Sequence, residues 1–150
     1  MHRKIVPDVI EKQTIHSLSG TSTALDAAKE MAQRHVAAIL IVDDSGTLEG
    51  IVTERDLTQR VMAKGLSPEE TKLKDFMTSN PDTLTPNDTA GDALDIMRRK
   101  RFRHLPVVDN GDVVGMVSVR DLYSAVQADL EAEIKETEAF VFGDRYTAGS

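Results

Sequence analysis

The residue types best suited to chemistry lie in two matching stretches, Gly50-Ile51-Val52-Thr53-Glu54-Arg55-Asp56-Leu57 and Gly115-Met116-Val117-Ser118-Val119-Arg120-Asp121-Leu122. In each, apolar residues that suit a buried strand run into a hydroxyl, any residue, Arg, Asp and Leu. A Thr or Ser with an acid three residues on is what the start of a helix uses, so each stretch reads as a strand passing directly into a helix. Such a junction presents unpaired backbone N–H groups to an anion. The two oxygens of Asp56 or Asp121 can also accept from two neighbouring hydroxyls of one polyol. The same spacing is equally a capping box, which stabilises a helix by about 1 kcal/mol, and one helix end can serve both purposes.

A second group of polar residues, Arg103 and His104, stands immediately before the apolar run Leu105-Pro106-Val107-Val108. The preceding Arg98-Arg99-Lys100-Arg101 reads as a solvated helix face. The corresponding place in the first half holds Ala37-Ala38, with Leu40 where the second half has Pro106. No catalytic constellation accompanies these residues. His2, His16, His35 and His104 are scattered without metal-ligand spacing, cysteine is absent, and there is no nucleophile elbow or Gly-x-x-x-x-Gly-Lys loop. The reading is a binder, neither an enzyme nor a metalloprotein, with no required cofactor.

Composition narrows the partners. The 150 residues carry a formal net charge of -7, with 40% hydrophobic and 29% charged residues. That balance suits a soluble domain, contains no apolar run long enough to span a membrane, and shows no export leader, so the cytoplasm is the expected location. The acidic total disfavours nucleic acid or an anionic membrane as the main partner, although a local basic patch could hold a small anion.

The elements that must position these residues occur twice. Thr23-Ala24-Leu25-Asp26-Ala27 matches Thr89-Ala90-Gly91-Asp92-Ala93, Met31 matches Met97, Val42-Asp43 matches Val108-Asp109, and both copies close on Arg-Asp-Leu. In each copy a short extended segment (Ile15 to Leu18, Thr83 to Thr85) precedes a capping residue, Ser22 or Asp88. An amphipathic helix, an apolar strand and a hairpin turn follow. The turns are Asp43-Asp44-Ser45-Gly46 and Asp109-Asn110-Gly111-Asp112, the second with the Asn-Gly pair that tolerates positive φ. A returning strand then enters the junction and its helix, giving β-α-β-β-α per copy. A lead-in through Leu73-Lys74-Asp75-Phe76 precedes the second copy, and a similar one, Val6-Pro7-Asp8-Val9-Ile10, precedes the first. Beyond Ala128 a helix-forming tail, residues 128–150, runs through Leu130 and Ile134 to Phe140-Val141-Phe142, where Gly143 is the expected stop.

This doubled unit, with its hydroxyl-x-Arg-Asp junction and Arg103-His104-Leu105-Pro106-Val107-Val108-Asp109, resembles the CBS domain pair, or Bateman module. The resemblance implies an α+β fold in which residues 1–150 form one stand-alone module, with repeat one at about 6–65, repeat two at about 73–127 and an extra C-terminal helix. It further implies a regulatory module that binds adenosine-containing ligands (AMP, ADP, ATP, S-adenosylmethionine or a dinucleotide) in clefts between the repeats. On this reading Asp56 and Asp121 meet ribose, and Arg103 and His104 meet phosphate. Thr53, Arg55, Ser118 and Arg120 complete the junctions, Thr78, Asn80 and Asp82 contact adenosine from the lead-in or are ordinary loop residues, and Phe102 and Val36 either sandwich the base or pack in the core. Since only the second copy has the basic pair, the site of Ser118, Arg120 and Asp121 is expected to be the tighter one. A homodimer is implied, its contact extended by the tail unless the tail packs back on its own module, together with an unidentified regulated protein. The alternatives are a structural module with empty clefts, or nucleic-acid binding through Arg98 to His104.

Overall fold

In the computed structural model, which describes residues 3–11 and 13–148, the short apolar runs form strands because they are too brief for helices and are flanked by turn residues. β1 (Ser17–Leu18), β2 (Ala38–Val42), β3 (Leu48–Thr53) and β4 (Thr78–Ser79) make one sheet in that order, β1 parallel to β2 and the other pairs antiparallel. β5 (His104–Asp109) and β6 (Asp112–Ser118) form an antiparallel hairpin. The Asn110-Gly111 turn has φ of 51° and 86°, the positive pair that a two-residue hairpin requires. The expected strand at Thr83 to Thr85 is reduced to a parallel bridge from Leu84 to Val107.

α1 (Ala24–Arg34) and α3 (Ala90–Lys100) are the amphipathic helices of the two copies. Their caps fall one residue later than Ser22 and Asp88. Thr23 Oγ1 accepts from Asp26 N at 3.2 Å while Asp26 Oδ2 accepts from Thr23 N at 2.9 Å, and Thr89 with Asp92 repeats both distances. The reason is spacing, since only Thr23 and Thr89 have an acid three residues on; Ser22 would face Leu25, and Asp88 would face Gly91. Asp88 instead accepts from Thr85 N at 2.7 Å. After β3, α2 (Glu54–Asp56) makes one turn and widens over Leu57–Met62 into i→i+5 bonding, with Ala63 N donating to Thr58 O at 2.8 Å. α4 (Val119–Ala148) unites the second helix of copy two with the C-terminal tail. The tail therefore does not begin a new element, and the expected stop at Gly143 is passed, because a single helical Gly costs only about 1 kcal/mol against Ala. Among the described residues no helix is long and apolar enough to cross a membrane.

The lead-ins cross over. Ile5 and Ile10, ahead of copy one, are buried with Leu84, Met97, Leu105, Val117 and Leu122 of copy two. Ile5 N donates to Asp88 O at 2.8 Å and Ala90 N to Arg3 O at 2.9 Å. Conversely, Leu73 and Phe76, ahead of copy two, are buried with Met31, Ile39, Ile41, Val52 and Val61 of copy one. Leu73 N donates to Ser22 O at 2.9 Å, and β4 pairs with β3. A third cluster, Ala38, Leu40 and Ile51 packed with Val113 and Met116, joins the two hairpins. Each half is thus completed by the other half's lead-in.

The twin glycines are where the crossing is tightest. A Cβ on Gly50 would lie 2.8 Å from the carbonyl oxygen of Thr78 and 2.5 Å from Met77 Sδ, and one on Gly115 would lie 2.7 Å from Ile10 Cδ1. Only a bare Cα lets the lead-ins lie this close. Gly50→Ala is expected to destabilise by about 1 to 3 kcal/mol, and by more than Gly115→Ala, because Thr78 O is fixed backbone while Ile10 Cδ1 is the free end of a side chain. Urea denaturation of both variants checks this, and equal stabilities would contradict it.

Candidate functional site

The strand-to-helix junctions form as capping boxes. At the first, Asp56 Oδ2 accepts from Thr53 N at 2.9 Å and from Thr53 Oγ1 at 3.1 Å, while Asp56 N donates to Thr53 Oγ1 at 3.3 Å. At the second, Ser118 and Asp121 repeat the pattern at 2.8, 3.0 and 3.1 Å. Each box engages Oδ2 and leaves Oδ1 turned away from it. Asp56 Oδ1 lies 3.6 Å from Arg60 Nε, and Arg60 Nη1 is itself fixed at 2.6 Å to Phe76 O. Arg60 has Ala125 as its sequence counterpart in copy two.

The first junction opens into a cavity of about 410 Å³ between the halves. Thr53, Arg55 and Asp56 line it from the β3–α2 junction, Thr78 and Asp82 from the second lead-in, and Phe102, Arg103 and His104 from the entry to β5. Eight of the twelve residues singled out in the sequence therefore meet in one place. Asn80, Ser118, Arg120 and Asp121 do not line this cavity. Asn80 has a φ of 48° and donates its N–H to Glu49 O at 3.1 Å, which places it at the turn out of β4. Val36 packs against the core of copy one and does not line the cavity.

The basic pair expected beside Asp121 is brought to the other junction as well. Arg103 and His104 share the cavity of Asp56, because the hairpins pack on each other and bring the start of β5 against the junction of the other copy. His104 also pairs in register with Ser118, so its imidazole feels both Asp121 and Glu54. The run Arg98 to Arg101 divides likewise. Arg98 and Arg99 pair with Asp95 on the helix surface at 3.5 and 3.1 Å. Arg101, left-handed at φ 60°, ends α3, and both it and Lys100 line the cavity, with Lys100 Nζ 2.8 Å from Asp82 Oδ2.

Arg60, Lys100 and Arg101 escaped the sequence reading. The i to i+4 spacing of Asp56 and Arg60 was a usable signal, whereas nothing in a run of four cations tells which two turn inward. With them, the lining holds five cationic side chains (Arg55, Arg60, Lys100, Arg101, Arg103) against three carboxylates (Glu54, Asp56, Asp82), a net of +2 with His104 neutral. In a chain of net charge -7 this is a local inversion of sign, of the kind that concentrates an anion.

A capped helix start facing a cationic wall across the seam between two copies of a β-α-β-β-α unit defines a two-repeat module. The CBS domain model matches residues 4–63 and 73–128, and the chain belongs to that family. Among curated relatives, the CBS domain-containing protein CBSCBSPB2 of Arabidopsis thaliana is 44% identical over 106 residues, 70% of this chain and 20% of that protein. CBSX3 of the same plant, a mitochondrial CBS domain-containing protein, is 34% identical over 81% of this chain and 61% of its own length. This chain thus spans about a fifth of the first of these relatives. Among solved structures, a protein with CBS domains from Burkholderia ambifaria superimposes with a TM-score of 0.79 at 31% identity, covering 85% of this chain and 96% of that one. The CBS domain protein PAE2072 from Pyrobaculum aerophilum, solved complexed with AMP, gives 0.68 at 31% identity, covering 73% and 84%. The chain is a CBS pair, a regulatory type of module.

Burial holds the His104 imidazole below its ordinary pKa, opposed by the carboxylates of Asp121 and Glu54 and reinforced by Arg103. A base that protonates less readily folded than unfolded makes the unfolded chain the stronger proton binder as pH falls. This contribution to stability is therefore complete above the ordinary His pKa of about 6.5 and is lost on acidification through it. The denaturation midpoint is expected to fall between about pH 7 and pH 5.5, and to fall less in His104→Gln. Identical pH profiles for the two proteins would contradict the assignment.

Proposed function

We propose that the cavity at Asp56 binds an adenine nucleotide and that the chain is a regulatory sensor of it. The carrying observation is the convergence in one cavity of the Asp56 carboxylate, held by its capping box with Oδ1 turned away, and a cationic surplus from the opposite copy. Ribose hydroxyls donate to Asp56 Oδ1, and the phosphates meet Arg103 and Lys100, with His104 beside them. Ile51, Thr78 and Phe102 offer the mixed apolar and polar wall that a base needs. The AMP carried by PAE2072 supports this choice of ligand.

On this reading the tighter site is that of Thr53, Arg55 and Asp56, the reverse of the order expected from the sequence. The site of Ser118, Arg120 and Asp121 is the weaker, since Arg103, Lys100 and Arg101 line the other cavity. Nucleic-acid binding through Arg98 to His104 loses support because those side chains are split between surface pairs and the cavity.

Calorimetric titration with AMP, ATP and S-adenosylmethionine tests the proposal. Asp56→Ala is expected to weaken the tightest of them by about 1 to 3 kcal/mol, with Asp121→Ala close to wild type at that site. No heat with any of the three ligands would leave the purely structural reading standing, and equal losses in both variants would refute the assignment of the tighter site.

A further inference from the structure

We propose that the exposed face of α4 docks a basic amphipathic helix of a partner protein. Every residue from 130 to 141 is exposed, so this part of the tail does not pack back on its own module. The segment continues α4 without tertiary packing of its own, so its faces are open to a partner. Tyr123, Gln127, Leu130, Ile134, Thr137 and Val141 succeed one another at spacings of 4, 3, 4, 3 and 4, the a and d positions of a coiled-coil seam. Its four large side chains lie open, Tyr123 at 66%, Leu130 at 53%, Ile134 at 56% and Val141 at 45% exposure.

The charges beside the seam choose the occupant. The flanking e and g positions from 131 to 140 are Glu131, Glu133, Glu138 and Phe140, so three of the four are acidic. A second copy laid parallel would set Glu133 against Glu138, and one laid antiparallel would set glutamates against glutamates, both repulsive. Like charge thus disfavours a second copy as the occupant of the seam. A helix with apolar a and d residues and Lys or Arg at its flanks meets both the seam and the charge. At its N-terminal end the seam runs into a groove of about 550 Å³ where Tyr123 lies beside Leu94 and Phe102. Phe102 also lines the cavity, so a docked helix would end on a wall that the two sites share.

The test uses the full chain and two labelled synthetic peptides of about three heptads, both with leucine at a and d, one with lysine and one with glutamate at e and g. Fluorescence anisotropy is expected to show binding of the lysine peptide, weakening as salt is raised, and none of the glutamate peptide. Leu130→Asp combined with Ile134→Asp adds two negative charges, so attraction by charge alone would tighten binding, whereas a docking seam loses about tenfold or more. Glu131→Lys with Glu133→Lys and Glu138→Lys should reverse the preference between the peptides. Thermal melting confirms that the variants, all at exposed positions, remain folded. Equal binding of both peptides, binding of neither, tighter binding by the double variant, or a dimer in sedimentation that the double variant dissociates would each overturn the proposal.

Discussion

The close passage of each lead-in across the other copy's hairpin is the constraint on which the rest of the structure depends. It requires a bare Cα at Gly50 and at Gly115, since a side chain there would meet Thr78 O in one case and Ile10 in the other. Given that passage, Leu73 and Phe76 complete the core of copy one, and Ile5 and Ile10 complete that of copy two. Neither half has a full core alone, which ties the two together more firmly than the Ala38-Leu40-Ile51 contact with Val113 and Met116 would. The same crossing sets the wall of the site, because Thr78 pairs with Ile51 and the chain then leads past Pro81 and Asp82 along the cavity.

The chemistry of the site follows from a division of labour within single side chains. Asp56 uses one oxygen to close its helix cap and keeps the other directed elsewhere, so the cap fixes the carboxylate without consuming it. Arg60 is held by Phe76 O, which keeps a guanidinium 3.6 Å from Asp56 Oδ1. His104 is placed between carboxylates from both copies and is disfavoured from charging by burial. An arriving phosphate would shift that balance toward the protonated ring, coupling anion binding to proton uptake. The cations on the opposite wall come from the end of α3 and the entry to β5, where the left-handed Arg101 ends the helix.

Much of this architecture was legible in the residues. The duplicated Gly to Asp-Leu stretch announced two copies, the Asn110-Gly111 pair its hairpin, and the hydroxyl-x-x-acid spacing both junction caps. The same spacing, applied consistently, would have placed the helix caps at Thr23 and Thr89 rather than Ser22 and Asp88. The lead-in exchange was not legible, because Ile5, Ile10, Leu73 and Phe76 advertise burial but not which core they enter. The same gap hid the second neighbour of Arg103 and His104: chain proximity pointed to Asp121, and packing between hairpins brings the pair to the cavity of Asp56 as well. Lys100 and Arg101 were hidden for a simpler reason, since a left-handed residue at a helix end redirects side chains without leaving a distinctive composition.

Under the proposed function the two junctions, alike in sequence and in their caps, are unequal as sites because the cationic wall lines the cavity of one of them. A crystal structure grown in the presence of AMP tests this most directly. Nucleotide is expected in the cavity lined by Thr53, Asp56 and Arg103, with its ribose hydroxyls on Asp56 Oδ1. Nucleotide bound only at Asp121, or in the Asp56 cavity with its ribose turned away from the carboxylate, would contradict it.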